Sequence, residues 1–310
     1  MRAFLAFLLA LVAAALLGAA LAYPVYELLH PIAPWPFHRI ANRVTLIVLV
    51  LVLVIYCRRF GLTRRGDFGY GLPRRRFLSV ALLFGALGIL SAAAGAAFLL
   101  ATHLREWGDP GALQRGTVWL HLLLAGLGSG IAVALIEETA MRGALYGAIE
   151  RESGGGAAIA LTSALFAVLH FYARTRIPAA QVGPASGFVL IGTFFSPWAH
   201  PAGVADAFLA WLAVGGLLGA TRACTGNIAA ALGLHAGWVL VLRILQIATV
   251  PGANRALAGW VGRFDGLLGY WVLPWAALIA LALWASRAAW VPYARGALRP
   301  AAAARPCAAP

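Results

Sequence analysis

Eight apolar runs of bilayer-crossing scale follow one another along the chain, at about residues 4–23, 40–57, 77–102, 117–149, 157–173, 203–222, 227–249 and 266–290. A membrane span needs about 20 predominantly apolar residues, and no water-soluble globule could cover eight such runs. Composition agrees, since 62% of the 310 residues are hydrophobic and only 11% charged, against about 25% charged in an ordinary soluble domain. The fold class is therefore all-α, a polytopic integral membrane helical bundle of about eight transmembrane helices. The first run ends near Ala20-Leu21-Ala22, which resembles a cleavage site. Its apolar stretch is longer than the about 7–15 residues of a signal-peptide core, so it reads as an uncleaved anchor.

The net charge of +14 comes from 24 arginines and no lysine. Those arginines cluster between apolar runs, as in cytoplasmic loops of membrane proteins, so the expected partner is the lipid bilayer and not nucleic acid. The segment 58–76 carries seven arginines (58, 59, 64, 65, 74, 75 and 76) against the single Asp67. Placing it in the cytoplasm puts both termini there with eight spans, and 14 arginines fall inside against eight outside (39, 43, 105, 115, 174, 176, 255 and 263). Four segments follow: N-terminal membrane helices at 1–116, a core at 117–249, a C-terminal loop and last membrane helix at 250–292, and a disordered tail at 293–310. Three cysteines without CxxC spacing indicate neither a disulfide framework nor a thiolate zinc site. The stretch 174–202, with Pro178, Pro184 and Pro197 around a short apolar core, is either a re-entrant segment or a greasy surface loop.

Ionisable groups inside the runs are few and concentrated. The fourth run holds Glu137, Glu138 and Arg142, the fifth His170, and the seventh His235. A charge at mid-membrane costs on the order of 2.5–3.5 kcal/mol on insertion scales, and such residues are functional candidates by default. Glu138 and Arg142 are four apart and share a helical face, which leaves Glu137 on an adjacent one. Glu137 lies 13 residues before Glu150, and His170 lies 14 after Gly156. At 1.5 Å per residue both sit about 20 Å from the turn at 150–156, so antiparallel helices joined there bring carboxylate and imidazole to one depth. His235, eight residues past Asn227, falls about 12 Å from the same end. Such a cluster can activate water with the carboxylate as general base and the imidazoles at the oxyanion. It can equally hold catalytic zinc through Glu137, His170 and His235, or form a buried network that only fixes packing.

The run Glu137-Glu138-x-x-x-Arg142, followed by Phe166-x-x-x-His170 and by His235 after Thr225-Gly226-Asn227, resembles the motifs of the CPBP family. That family holds the type II CAAX prenyl proteases and bacterial relatives linked to bacteriocin processing and self-immunity (the ABI group). The resemblance spans about 117–245. It implies an intramembrane endopeptidase of the bacterial inner membrane acting on a membrane-associated peptide or protein substrate, prenylated or not. By the same resemblance Glu137 activates the water, Glu138 and Arg142 brace the site, and His170 and His235 bind water or oxyanion. A metal-free, glutamate-dependent reaction with no cofactor is favoured over zinc, since no histidine stands in an HExxH arrangement. One departure is Val239, where relatives often carry Asn as an oxyanion donor; Asn227 and Trp238 are the stand-ins available.

Other readings fit less well. Gly126-Leu127-Gly128-Ser129-Gly130 lacks the glycine a rhomboid GxSG needs and reads as a close-packed helix segment. A proton-coupled transporter and a non-catalytic scaffold or immunity protein are the rivals from other classes. The terminal Cys307-Ala308-Ala309-Pro310 is a superficial prenylation box with an unsuitable last residue.

Overall fold

In hydrocarbon every backbone N–H and C=O must be satisfied within its own segment, and the long apolar runs accordingly become helices. The computed structural model describes residues 1–108, 116–171 and 175–295. Its helices are α1 (Arg2–Leu29), α2 (Phe37–Arg59), α3 (Arg74–Ala101), α4 (Gly116–Glu138), α5 (Tyr146–Ser153), α6 (Gly155–Leu169), α7 (Ser186–Thr193), α8 (Ala205–Thr225), α9 (Ala229–Ala248), α10 (Val272–Ala285) and α11 (Arg287–Arg295). A π-helical turn, Thr139–Leu145, joins α4 to α5 without a break. Two three-residue strands, β1 (Arg105–Trp107) and β2 (Thr249–Pro251), pair antiparallel.

Six helices are long and apolar enough to cross a membrane, and a seventh counts if α10 and α11, bent by 79°, form one span. The expected count of eight is therefore approximate, and two runs account for the difference. The run at 266–290 breaks at Ser286, whose hydroxyl bonds back to the Ala282 carbonyl at 2.7 Å. The run at 157–173 yields only the 15-residue α6, about 22 Å long and short of a bilayer core of about 30 Å. His170 itself ends α6. Its ring Nδ1 takes the Phe166 carbonyl at 2.7 Å, the acceptor its own backbone would have used, and its N–H turns to the Ala167 carbonyl at 3.2 Å. The stretch at 174–202 carries α7, which lies against α1 so closely that a Cβ on Gly187 would come within 2.1 Å of the Ala19 carbonyl. Arg115, Arg174 and the tail from residue 296, Cys307 included, fall outside the described residues.

Large apolar side chains point outward along the long helices, among them Leu9, Leu51, Leu82 and Leu124. The inner faces use small residues instead, as helices in lipid require for close backbone approach. Helix α9 is held between α3 and α4 in this way. A Cβ on Gly233 would stand 2.2 Å from the Ala81 carbonyl, one on Gly237 2.5 Å from that of Gly85, and one on Gly130 of α4 2.7 Å from that of Ala236. This is the close-packed role read for the Gly126–Gly130 segment; Ser129 spends its hydroxyl on the Gly126 carbonyl at 3.0 Å.

The Arg-rich segments gather at one end of the bundle. Arg151 of α5 pairs with Asp67, Arg76 donates to the Tyr293 carbonyl at 3.0 Å, and Arg295 donates to the Cys224 carbonyl at 2.7 Å. At this end Gly226 stops α8 in the left-handed conformation (φ 71°). Asn227 then accepts the Ala229 N–H at 3.0 Å to start α9. The α1–α2 hairpin is fastened here too, since the Glu152 carboxylate accepts the N–H groups of Arg2 and Ala3 at 2.8 and 2.9 Å.

Candidate active site

The five ionisable residues singled out in the sequence come together where α4, α6 and α9 meet. Arg142 sits in the π-helical turn and still reaches back one turn, its Nη1 donating to Glu138 Oε1 at 3.0 Å. Both side chains are fully buried. The second guanidinium arm donates to the Gly215 carbonyl of α8 at 3.1 Å, and Cζ lies 4.5 Å from the Phe166 ring centre, within cation–π range.

Glu138 has a further partner that the sequence did not disclose. His235 Nδ1 lies 2.9 Å from Glu138 Oε1. A carboxylate can only accept, so Nδ1 carries the proton and Nε2 is turned the other way. His170 is fixed likewise, since the Phe166 carbonyl also only accepts, and its ring stacks on Trp211 with centres 3.8 Å apart. Both Nε2 atoms then face the same atom, Glu137 Oε2, at 3.9 Å from His170 and 4.0 Å from His235. That oxygen is buried and has no partner.

Supporting residues escaped the sequence reading. Arg222, the last residue of the sixth apolar run, is buried and donates from Nε to the Arg142 carbonyl at 3.1 Å. Tyr70, from the Arg-rich loop, meets the Thr139 hydroxyl at 2.6 Å and ties that loop to the π-helical turn. Such turns recur at functional sites, but no residue type announces one in advance. Trp211 could have been noticed only as a polar-edged aromatic inside an apolar run.

Two cavities flank the cluster. A large one, about 540 Å³, lies between the α1–α2 hairpin and the wall made by α4, the π-helical turn and α6, with Glu137 and His170 on that wall. A small one, about 80 Å³, lies beyond the imidazoles and is lined by Trp211, Trp238, Trp271, Trp275 and Val239. Val239 thus offers no donor. The two stand-ins are engaged elsewhere: Trp238 Nε1 donates to Ser91 at 3.0 Å, and Asn227 Nδ2 donates to the carbonyls of Thr225 and Ala294.

The donor types suit zinc, and their spacing is wider than a bound ion would set. Zinc held at about 2.1 Å in a tetrahedron sets its ligands about 3.4 Å apart, less than the 3.9 and 4.0 Å found here. Among the described residues no three His, Cys, Asp or Glu side chains are arranged to hold a metal ion.

The family model of the Rce1-like type II CAAX prenyl endopeptidases matches residues 119–241. The match covers about two-fifths of the chain, and it is a likeness of that segment. The Rce1-like segment contains Glu137, Glu138, Arg142, His170 and His235. Its family is one of proteases, and the apolar helices around it make the chain an integral membrane protein. Curated proteins and solved structures returned no match.

Proposed function

We propose that this chain is an intramembrane endopeptidase in which Glu137 activates water against a peptide bond of a membrane-associated polypeptide. One observation carries the reading: imidazole Nε2 atoms from two helices face one unpartnered Glu137 oxygen on the wall of a large cavity. Gaps of 3.9 and 4.0 Å exceed a direct hydrogen bond and match the reach of a bridging water.

The hydrogen bonds around the cluster support the following roles. Two carboxylates face one guanidinium, so a neutral cluster needs one further proton among Glu137, His170 and His235. His235 is the base best placed to carry it, because Glu138 backs its Nδ1–H. Its Nε2–H then donates to the oxyanion that forms, while His170 Nε2 accepts from the attacking water. Glu137 takes the water's proton and passes it to the leaving amine. Arg142 holds Glu138 in the ionised form that this arrangement uses. No step calls on a metal, and both termini face the cytoplasm of a bacterial inner membrane, in keeping with the arginines gathered at one end. A scaffold without catalysis is the second reading, favoured by the apolar setting of Val239.

The test compares new polypeptide termini in membranes of a deletion strain complemented with wild type or Glu137→Gln at matched expression. Termini that appear only with wild type support the protease. Identical termini, with both forms rescuing a phenotype, leave the scaffold. For the purified enzyme, cleavage is expected to survive dialysis against a zinc chelator. Loss of cleavage that added zinc restores would refute the metal-free mechanism.

A further inference from the structure

The loop between α2 and α3 is pinned to the π-helical turn that carries Arg142. Tyr70 meets the Thr139 hydroxyl at 2.6 Å, and the Gly69 carbonyl accepts the Ile228 N–H at 3.1 Å. A Cβ on Gly143 of the turn would stand 3.0 Å from the Phe68 carbonyl, and one on Gly147 3.0 Å from that of Asp67. Under the loop lies Arg222. Its Nε donates to the Arg142 carbonyl at 3.1 Å, and its guanidinium covers the Tyr146 ring at 5.2 Å. A Cβ on Gly69 would come within 3.4 Å of that Nε.

A buried charge is normally paired, and Arg142 has its partner in Glu138. Arg222 is only 6% exposed, yet among the described residues neither of its Nη groups has a hydrogen bond or an ion pair. The nearby carboxylates are occupied: Asp67 pairs with Arg151, Glu152 accepts the N–H groups of Arg2 and Ala3, and Glu150 lies 3.5 Å from the Tyr146 hydroxyl. Six exposed arginines, Arg58, Arg59, Arg64, Arg65, Arg74 and Arg75, surround the loop. Among the described residues none of the six has an ion pair.

The loop stands at the level of the lipid headgroups. Helix α11 turns 79° away from α10 and so runs nearly along the membrane surface. Trp284 and Tyr293, both exposed, are of the types that gather at that level. Arg287 lies 4.3 Å over the Trp284 ring, and Arg76 donates to the Tyr293 carbonyl at 3.0 Å, which ties α11 to the arginine-rich segment.

We propose that this loop and Arg222 form a site for the phosphate of an anionic phospholipid, and that the bound headgroup steadies the π-helical turn. A guanidinium pairs with phosphate through two parallel hydrogen bonds, and basic pockets between helices at this level take acidic headgroups. A phosphate held by the Nη groups fixes Arg222 with its Nε on the Arg142 carbonyl. The segment that presents Arg142 to Glu138 is braced in turn. The site does not depend on peptide cleavage.

The full chain in neutral detergent is titrated with phosphatidylglycerol or with phosphatidylcholine of the same acyl chains. Native mass spectrometry counts bound lipid, and backbone hydrogen exchange is followed at 139–145. Phosphatidylglycerol is expected to bind about tenfold or more tightly, since each arginine near the headgroups contributes about fivefold. Exchange in the π-helical turn is expected to slow with this lipid alone. Arg64→Gln with Arg65→Gln, both exposed, should cut the preference at an unchanged thermal midpoint. Arg222→Lys, which keeps the charge without the fork, should lose most of the slowing. Equal binding of the two lipids, a preference untouched by the Arg64 and Arg65 pair, or undiminished slowing in Arg222→Lys would overturn the proposal. The same slowing with inorganic phosphate alone would give the site to a free anion and overturn it. Displacement of phosphatidylglycerol by a polyglutamate peptide would give the loop to an acidic protein and overturn it as well.

Discussion

The two walls of the large cavity are built on opposite plans. Behind the core wall, which presents Glu137 and His170, Arg142, Glu138 and His235 form a chain of short hydrogen bonds across three segments, with the first two fully buried. On the hairpin wall α2 presents half-open aliphatic side chains and, at one end, His38, whose buried Nδ1 has no hydrogen-bond partner among the described residues. A reaction centre tolerates little displacement, so its side chains are locked by neighbours. A surface that receives variable chains stays unpaired until something occupies it. Under the proposed function, the contrast would separate where chemistry is held from where a substrate is chosen.

The largest effect that could break this contrast comes from Arg142→Met. It leaves Glu138 buried without its cation and is expected to cost about 3–5 kcal/mol, read as a fall in the unfolding midpoint in detergent. Glu138→Gln with Arg142→Met should recover most of that stability without recovering cleavage. Val50→Ala on the hairpin wall should stay within about 0.5 kcal/mol of wild type; a cost near that of Arg142→Met would erase the distinction.

Gly237→Leu comes next. Its Cβ would stand 2.5 Å from the Gly85 carbonyl, and α9 must move away from α3, carrying His235 with it. A loss of about 1–3 kcal/mol and of about 100-fold in kcat is expected, whereas Gly192→Ala, with open space around it, should be silent. Val239→Asn sharpens the comparison in the other direction. An amide beside the imidazoles supplies a donor that the small apolar cavity lacks, and kcat is expected to rise about tenfold or more at unchanged KM. An unchanged kcat would show that the oxyanion forms elsewhere.

The smallest effect lies outside the membrane. Asp67 is held below the ordinary carboxylate range by the Arg64 N–H and by Arg151. Its ionised form therefore favours the folded state above about pH 4, and that contribution fades as pH falls through the lowered value. A slight drop in thermal midpoint on acidification, absent in Asp67→Asn, is the expected reading.

Much of this arrangement was legible before any coordinates. Regular helical rise brought Glu137 and His170 to one depth, in line with the 3.9 Å between them, whereas His235, expected about 8 Å shallower, also comes to 4.0 Å of Glu137. The Gly233–Gly237 pair flanking His235 could be read as small residues but not as a seat against α3, because the partner lies about 150 residues away in sequence. Hydropathy did not foresee the end of α6, since the interruption is made by a ring hydrogen bond and not by a polar run. The β1–β2 pair was equally invisible, as three residues carry no alternation.

Helix α6 stops about two-thirds of the way across the thickness a bilayer asks of it, and it stops at His170. At 175–204 the backbone runs through short 3-10 turns and the eight-residue α7, and backbone groups outside a continuous helix are ones that lipid alone cannot satisfy. Such groups recruit solvent. A hydrolytic reaction consumes one water per turnover, and in oil that supply would otherwise be the scarce reagent. Thr175 and Arg176, just past the arrested helix, line the same cavity as Glu137, so under the proposed function the nucleophile would be supplied where the chain ends a helix.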